Sequence, residues 1–484
     1  MSNQVLLDVV QALHTIILEL DIQLEWIIKH KRSLSMRMEG TSMVHLQLDS
    51  EQGVQCTVRT PCSEEMIYSS LTSPLDCVAI ISQIVYALPD TDLSQKERYI
   101  NQLNRVRIAG PEELEQRGRR DYQSEKSLLC ELASDENIAH ICAIHTEFSE
   151  VYEDNIYISA SGTVTEDAKC TVFLGQYIYT DHESGAKMFY NRKAFVNDLD
   201  WKADSVKDYF YMGKLKASQL ASAAPASGKY QPDYIAVDSS LMGMIVHEAV
   251  GHALEADHVL GNSSFLKDRD FHFGEHINIA ADPTWPNAAY RRFDDEGVAG
   301  GKMLLIEHGK VIDYLHSKQT AALMDARPNG HLFCEAYYKP PMVRMSSVYF
   351  LPDNHTESEP CGSIQEITAI LRKGGYLEHG QVVAYLTDWS GGTASWASLE
   401  FDITVPMMYL ISDNSPPVAH TNLSFTGNAA ALLNSHLHSY GLLIVDTFGY
   451  CSKRRNLLIT SDGGPELNLF KREQGIQLIG IQSQ

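Results

Sequence analysis

The run from Leu241 to Leu254 is almost wholly apolar, yet it carries His247, Glu248 and His252 in its middle. A stretch of this length and hydrophobicity must be covered on all sides, and its three polar side chains must find partners inside. The rest of the chain therefore has to be built around it. Spacing adds a second constraint. Histidines at i and i+4 of a regular helix stand roughly 40° apart, whereas the i, i+5 spacing of His247 and His252 puts them roughly 140° apart. If both meet one partner, the helix must widen locally, as in a π-bulge, or break near Gly251.

The residue types fit metal chemistry. Zinc takes neutral imidazole nitrogens with one position left open, and a carboxylate beside that position can accept a proton from water. His-Glu followed by a second His supplies these groups. On spacing alone another reading stands beside it: buried histidines satisfied by backbone carbonyls, with Glu248 capping a neighbour.

The stretch continues His247-Glu248-Ala249-Val250-Gly251-His252-Ala253-Leu254-Glu255-Ala256-Asp257, which resembles the signature of the TldD/PmbA family of metallopeptidases. The likeness runs on through Asp294-Asp295-Glu296-Gly297, the turn from Ile306 to Lys310, and Leu323-Met324 to Arg344-Met345. It closes with Gly449-Tyr450-Cys451-Ser452-Lys453 and Ser461-Asp462-Gly463-Gly464-Pro465. It covers the second half of the chain well, and the first half only by size and strand-helix pattern.

This resemblance implies that His247, His252 and Cys451 bind zinc (Zn2+) and that Glu248 is the catalytic base acting on zinc-bound water. It further implies a curved antiparallel sheet in the second half and a dimer, either with itself or with a TldE/PmbA-like homologue. The implied substrates are unstructured or modified peptides, with a small amide-linked natural-product intermediate as the alternative. The family pairs a motif-bearing subunit with one that has lost the motif. This chain keeps the motif and so resembles the catalytic subunit, a non-catalytic partner being the competing reading. Two departures from the family pattern, Ser452 to Asn456 and Pro406 to Tyr409, imply different substrate walls.

Composition bounds the rest. With 484 residues, 44% of them hydrophobic, the chain can bury a large core and reads as two or three domains. A net charge of -23, from 62 acidic and 39 basic residues, argues against nucleic acid or an anionic membrane as partner. Nine scattered cysteines form no disulfide framework and fit a reducing cytoplasm.

Met1 to Leu20 reads as an amphipathic helix rather than a signal peptide or membrane span. Met36 to Arg59 alternates as a hairpin does, with Ser50-Glu51-Gln52-Gly53 as its turn. Pro74 to Leu88 and Pro111 to Ala133 read as helices; Ile138 to Glu150, Asn155 to Ser161 and Ala168 to Tyr179 read as strands. The small-residue segment Ala221 to Gly228 marks a boundary. The fold class expected is α+β: a mixed α/β unit over residues 1–225, then a β-rich catalytic domain over 226–484 that carries the HExxxH helix.

Other residues are candidates of lower rank. Trp389, Gly391 and Gly392 would line a substrate cleft, tryptophan as a flat wall and glycine where a peptide backbone approaches, with Gly391-Gly392 read as a turn. Ordinary hairpin packing explains them as well. Glu255 and Asp257 are either acceptors for a ligand imidazole or exposed helix-end carboxylates. His258, His272 and His276 are near in sequence but not expected as ligands. Asp294-Asp295-Glu296 lacks the alternating oxygens of a calcium loop and reads as a solvated or substrate-facing turn. Lys453-Arg454-Arg455 would narrow the cleft or present charge to an acidic substrate group.

Overall fold

The structure, a computed structural model, describes residues 23–59, 64–70, 123–134, 138–181, 187–197, 202–268, 270–358 and 361–481. The helices expected over Met1 to Leu20 and Pro74 to Leu88 lie outside them, as does the first part of Pro111 to Ala133.

The first unit is an antiparallel sheet backed by helices. Strands β1 (Gln23–Glu39), β2 (Ser42–Arg59), β3 (Glu64–Ser70), β4 (Ile141–Ile158), β5 (Val164–Thr180) and β6 (Lys187–Val196) lie in the order β3-β2-β1-β4-β5-β6. Alternation along the strands sends Leu34, Met36, Phe148, Val172 and Leu174 to one face. There they close on Leu128 and Leu129 of helix α1 (Gln123–Leu132) and on Val206 and Phe210 of helix α2 (Asp204–Ser222).

The second unit is a fifteen-stranded sheet whose pairings are mostly antiparallel, so the fold is α+β. Strand β7 (Tyr234–Asp238) lies inside it, parallel to β8 (Val382–Thr387) and antiparallel to a long strand, Asn456–Lys471. Ile235, Ala236 and Val237 are fully buried, which is why this strand reads as an unbroken apolar run. Helix α3 (Ser239–Ile245) follows at once, capped by the Asp238 side chain, which accepts from the Leu241 N–H at 2.8 Å. Beyond β8 come β9 (Gly391–Ser395), β10 (Glu400–Ser412), β11 (Ser415–Asn428), β12 (His436–Lys453) and β13, the Asn456–Lys471 strand.

Four sequence expectations are corrected. Ser50 to Gly53 is not a turn: it lies within β2, paired with Lys29 to Arg32, and the hairpin turns at Gly40, whose φ is 56°. Gly53 is needed because the ring of Tyr337 lies against it, where a Cβ would collide. Ile138 to Glu150 and Asn155 to Ser161 are one strand, continuous from Ile141 to Ile158, because Lys169 on β5 pairs with Glu153 across the polar middle at 3.2 Å. Gly391-Gly392 is also strand, paired with Ile403 and Thr404 of β10. A Cβ on Gly392 would lie 2.7 Å from the Asp402 carbonyl, so this glycine serves strand packing.

The acidic run is the fourth. Asp294 and Asp295 are buried. Asp294 accepts from the N–H groups of Glu296, Val298 and Leu332. Asp295 accepts from the Cys334 N–H at 2.7 Å and pairs with Lys29 of β1 at 2.8 Å, which ties the two sheets together. No helix of the described residues is long and apolar enough to cross a membrane, and no described cysteine forms a disulfide.

Candidate metal centre

Helix α3 does not continue as an α-helix. From Val246 to Gly251 it widens into a π turn, in which the N–H of His252 reaches back five residues to the carbonyl of His247, and a single 3-10 turn, His252–Leu254, ends it. The wide turn answers the five-residue spacing. The imidazole centroids lie 5.0 Å apart with planes at 86°, so both rings face one point. Gly251 keeps ordinary helical angles, φ -60° and ψ -47°. Its contribution is space, since a Cβ there would strike the sulfur of Met345.

Strand β12 brings the third group. Cys451 Sγ lies 3.3 Å from His252 Nε2, and one ligand atom from each of His247, His252 and Cys451 falls within 4.8 Å of the others. All three side chains are buried. Each histidine is held from behind: His247 Nδ1 donates to Asp462 Oδ2 at 2.8 Å, and His252 Nδ1 to Glu255 Oε2 at 3.1 Å. Both Nε2 atoms are thereby turned towards the common point.

Close backbone approach makes the first of these bonds. Gly243 packs against Asp462 and Gly463, where a Cβ would sit 2.7 Å from the Gly463 nitrogen, so α3 lies directly on β13. Asp462 is thus brought under a histidine 215 residues earlier. It also accepts from the Val348 N–H at 3.1 Å.

The electrostatics suit a cation. Burial raises the Cys451 thiol, but the two imidazoles outweigh it and hold it at about 5. Burial lowers His252, but Glu255 and the thiolate raise it to about 9. His247 is raised well above its ordinary value against its own burial, by Asp462 and Cys451. A thiolate and two carboxylate-backed imidazoles concentrate negative potential on a point that two imidazoles and a sulfur can ligate. The donor set therefore fits zinc, with its preference for nitrogen and thiolate and a fourth position left for reaction.

Glu248 is half-buried beside His247 and lines the same cavity, of about 40 Å³, with Trp389, Cys451, Thr447, Gly449 and Thr460. That is room for a water molecule beside the carboxylate. Of the cleft residues expected from sequence, Trp389 lines this cavity; Gly391 and Gly392 do not. Glu255 is fully buried, not exposed. Lys453 turns inward to Glu255 and Asp257 rather than to substrate. Pro406 to Tyr409 runs through β10, with Met407 and Met408 in the core. His258 lies 3.2 Å from Glu255, and His272 and His276 are not among the clustered ligand groups. Sequence reasoning assigned no role to Asp462, Thr447 or Thr460, and only the Ser-Asp-Gly-Gly motif pointed to the first.

Residues 228–441 match the family model described as the PmbA/TldA metallopeptidase C-terminal domain. A metalloprotease of Archaeoglobus fulgidus is 33% identical over 249 residues, which cover 50% of this chain and 52% of that protein. One of Methanocaldococcus jannaschii is 26% identical over 353 residues, 71% of this chain and 72% of that one. Sequence similarity thus spans from about half to about three quarters of these relatives. The likeness of fold is wider. TldE of Thermococcus kodakarensis superposes with a TM-score of 0.69 at 13% identity, covering 98% of this chain and 100% of that one. A Thermotoga maritima protein described as a modulator of a DNA gyrase gives 0.70 at 13% identity, covering 97% and 99%. The matched C-terminal domain and the relatives named metalloproteases support a TldD/PmbA family metallopeptidase, whose fold these solved structures share.

Proposed function

We propose that this chain is a zinc-dependent hydrolase of peptide or amide bonds. The observation that carries the reading is the convergence of His247, His252 and Cys451 on one buried point with Glu248 on the wall of the same cavity. Relatives bearing the name metalloprotease support it. A bound zinc ion supplies Lewis acidity towards a scissile carbonyl and the attacking water. Asp462 and Glu255 keep the two imidazoles aimed at the ion. Glu248 takes a proton from the water and passes it to the leaving amine. Trp389 forms part of the cavity wall.

The cavity beside Glu248 has space for water, and the substrate best suited to a buried metal is a segment free to extend into it. Unstructured or modified peptides meet that need, because folded chains have already used their N–H and C=O groups. A small amide-linked molecule is the second reading. The protein acts as a dimer, with itself or with a TldE/PmbA-like homologue, in the cytoplasm.

The test is metal analysis of the purified protein, followed by incubation with a mixture of unstructured peptides and with a stably folded domain, products being identified by mass. Near-stoichiometric zinc and cleavage of the peptides alone are expected. A preparation without stoichiometric zinc defeats the hydrolase reading and leaves that of a non-catalytic partner. Full zinc with no peptide cut defeats only the peptide reading, in favour of a small substrate.

A further inference from the structure

Lys453 has three partners, all inside the protein. Its Nζ lies 3.0 Å from Glu255 Oε2 and 2.8 Å from Asp257, and it donates to the Val343 carbonyl at 3.0 Å. The Glu255 oxygen it meets is the same Oε2 that receives Nδ1 of His252. Glu255 is fully buried, and its other oxygen has no partner. The ammonium thus shares this oxygen with His252 Nδ1 and with His258 Nε2, the latter at 3.2 Å, and is the strand-borne cation of the carboxylate.

Register explains how it arrives. Side chains two apart on a strand project to the same face, and Cys451 and Lys453 are both buried on β12. One strand thus delivers a thiol to Nε2 of His252 and an ammonium to the carboxylate behind its Nδ1. A purely structural duty, closing the β12–β13 hairpin, is already met by Arg344. It is fully buried and donates to the carbonyls of Cys451 at 2.6 Å and Asn456 at 2.7 Å, one on each strand.

The clamp on His247 is built otherwise, for the second partner of Asp462 there is a neutral backbone N–H. A buried ion is costly unless paired, and without Lys453 the Glu255 carboxylate would keep only its contacts with the two imidazoles, His252 and His258. It would turn away from its place, taking the His252 ring with it. We propose that Lys453 is a positioning residue of the metal site: through Glu255 it fixes the His252 ring, and from its own strand it couples the placement of His252 to that of Cys451. This rests on the reading that His247, His252 and Cys451 hold zinc.

The test uses the full chain with Lys453→Met, Lys453→Arg, Glu255→Gln and the double variant Lys453→Met/Glu255→Gln. Zinc affinity is measured by chelator competition, and the absorption spectrum of the cobalt(II)-loaded protein reports ligand geometry. Lys453→Met is expected to weaken zinc binding by about 10–100-fold and to shift the cobalt bands, with Lys453→Arg recovering most of both. The double variant should be no weaker than Glu255→Gln alone, since the two residues act as one unit. Unchanged affinity and spectrum in Lys453→Met would overturn the proposal, and so would losses that multiply in the double variant. Should Lys453→Met not fold, Glu255→Gln decides alone, and zinc affinity and spectrum equal to wild type then count against it. Absence of zinc from the wild type would instead overturn the metal reading beneath.

Discussion

On the proposed reading Glu248 and Cys451 serve different parts of one chemistry, and replacing each separates the parts. Glu248→Gln keeps the shape of the side chain and leaves all three ligand groups in place, but the amide cannot take a proton from water. Zinc content should stay at the wild-type level while hydrolysis falls by about 10²–10⁴; activity within a few-fold of wild type would remove Glu248 from the mechanism. Cys451→Ser removes the thiolate that the two imidazoles hold at about 5. It should lower zinc content and activity together, as elemental analysis of the dialysed protein would show. At this scale the sequence was legible where chemistry is local. His247, Glu248 and His252 declare themselves by type and adjacency, whereas Cys451 stands 199 residues from His252 and was reached only through family resemblance. Asp462 lies in a motif of the same resemblance but its role does not show there, because a carboxylate finds a histidine 215 residues away only once two glycines let a helix lie on a strand.

Among elements, the π turn is the one that sequence arithmetic anticipated, since a five-residue spacing cannot bring two rings together on a regular helix. The arithmetic did not say what Gly251 is for. Its backbone is ordinary, and the requirement comes from Met345 across the core. Gly251→Ala therefore forces a methyl against that sulfur, and a clash of this kind in a packed core costs about 1–3 kcal/mol. Because the glycine ends the turn that aims His252, zinc affinity should fall with the melting temperature. Pairing the change with Met345→Ala should restore part of both, and no recovery on opening that space would show the clash to be the wrong explanation. Glycine misled in the other direction at Gly53 and Gly392. Both were read as parts of turns, and both sit in strands where a ring or a neighbouring carbonyl comes too close for a Cβ. Composition cannot tell a bend from a close approach.

The molecule as a whole depends on two sheets whose contact no periodicity reveals. Acid should loosen it first. His331 and His436 are buried and their own desolvation holds them down, to about 4 and about 3. In the unfolded chain each titrates at its ordinary 6.5. Between pH 6.5 and about 4 the unfolded state thus binds more protons, so stability is present above 6.5 and is lost as pH falls, at up to about 1.4 kcal/mol per unit for each ring. Asp294, pushed up to about 7 by its burial, acts in the opposite sense over the same range, so the test is a difference: between pH 7 and pH 5 the urea midpoint of a His331→Gln/His436→Gln variant should fall less than that of the wild type, and equal changes would refute the assignment. The link between the sheets makes the last prediction. Lys29 of β1 gives Nζ to Asp295 and to the Cys334 carbonyl, each at 2.8 Å. Lys29 is 14% exposed and Asp295 7%. Lys29→Met keeps the apolar stem but leaves Asp295 with backbone N–H donation alone, and a buried charge stripped of its partner costs about 3–5 kcal/mol. Neither residue touches the metal cavity. The variant should therefore lose stability in urea while binding zinc as wild type does. A loss below about 1 kcal/mol would show that the pair contributes little to joining the sheets, and weakened zinc binding would show that the N-terminal sheet reaches the metal site by a route other than this pair.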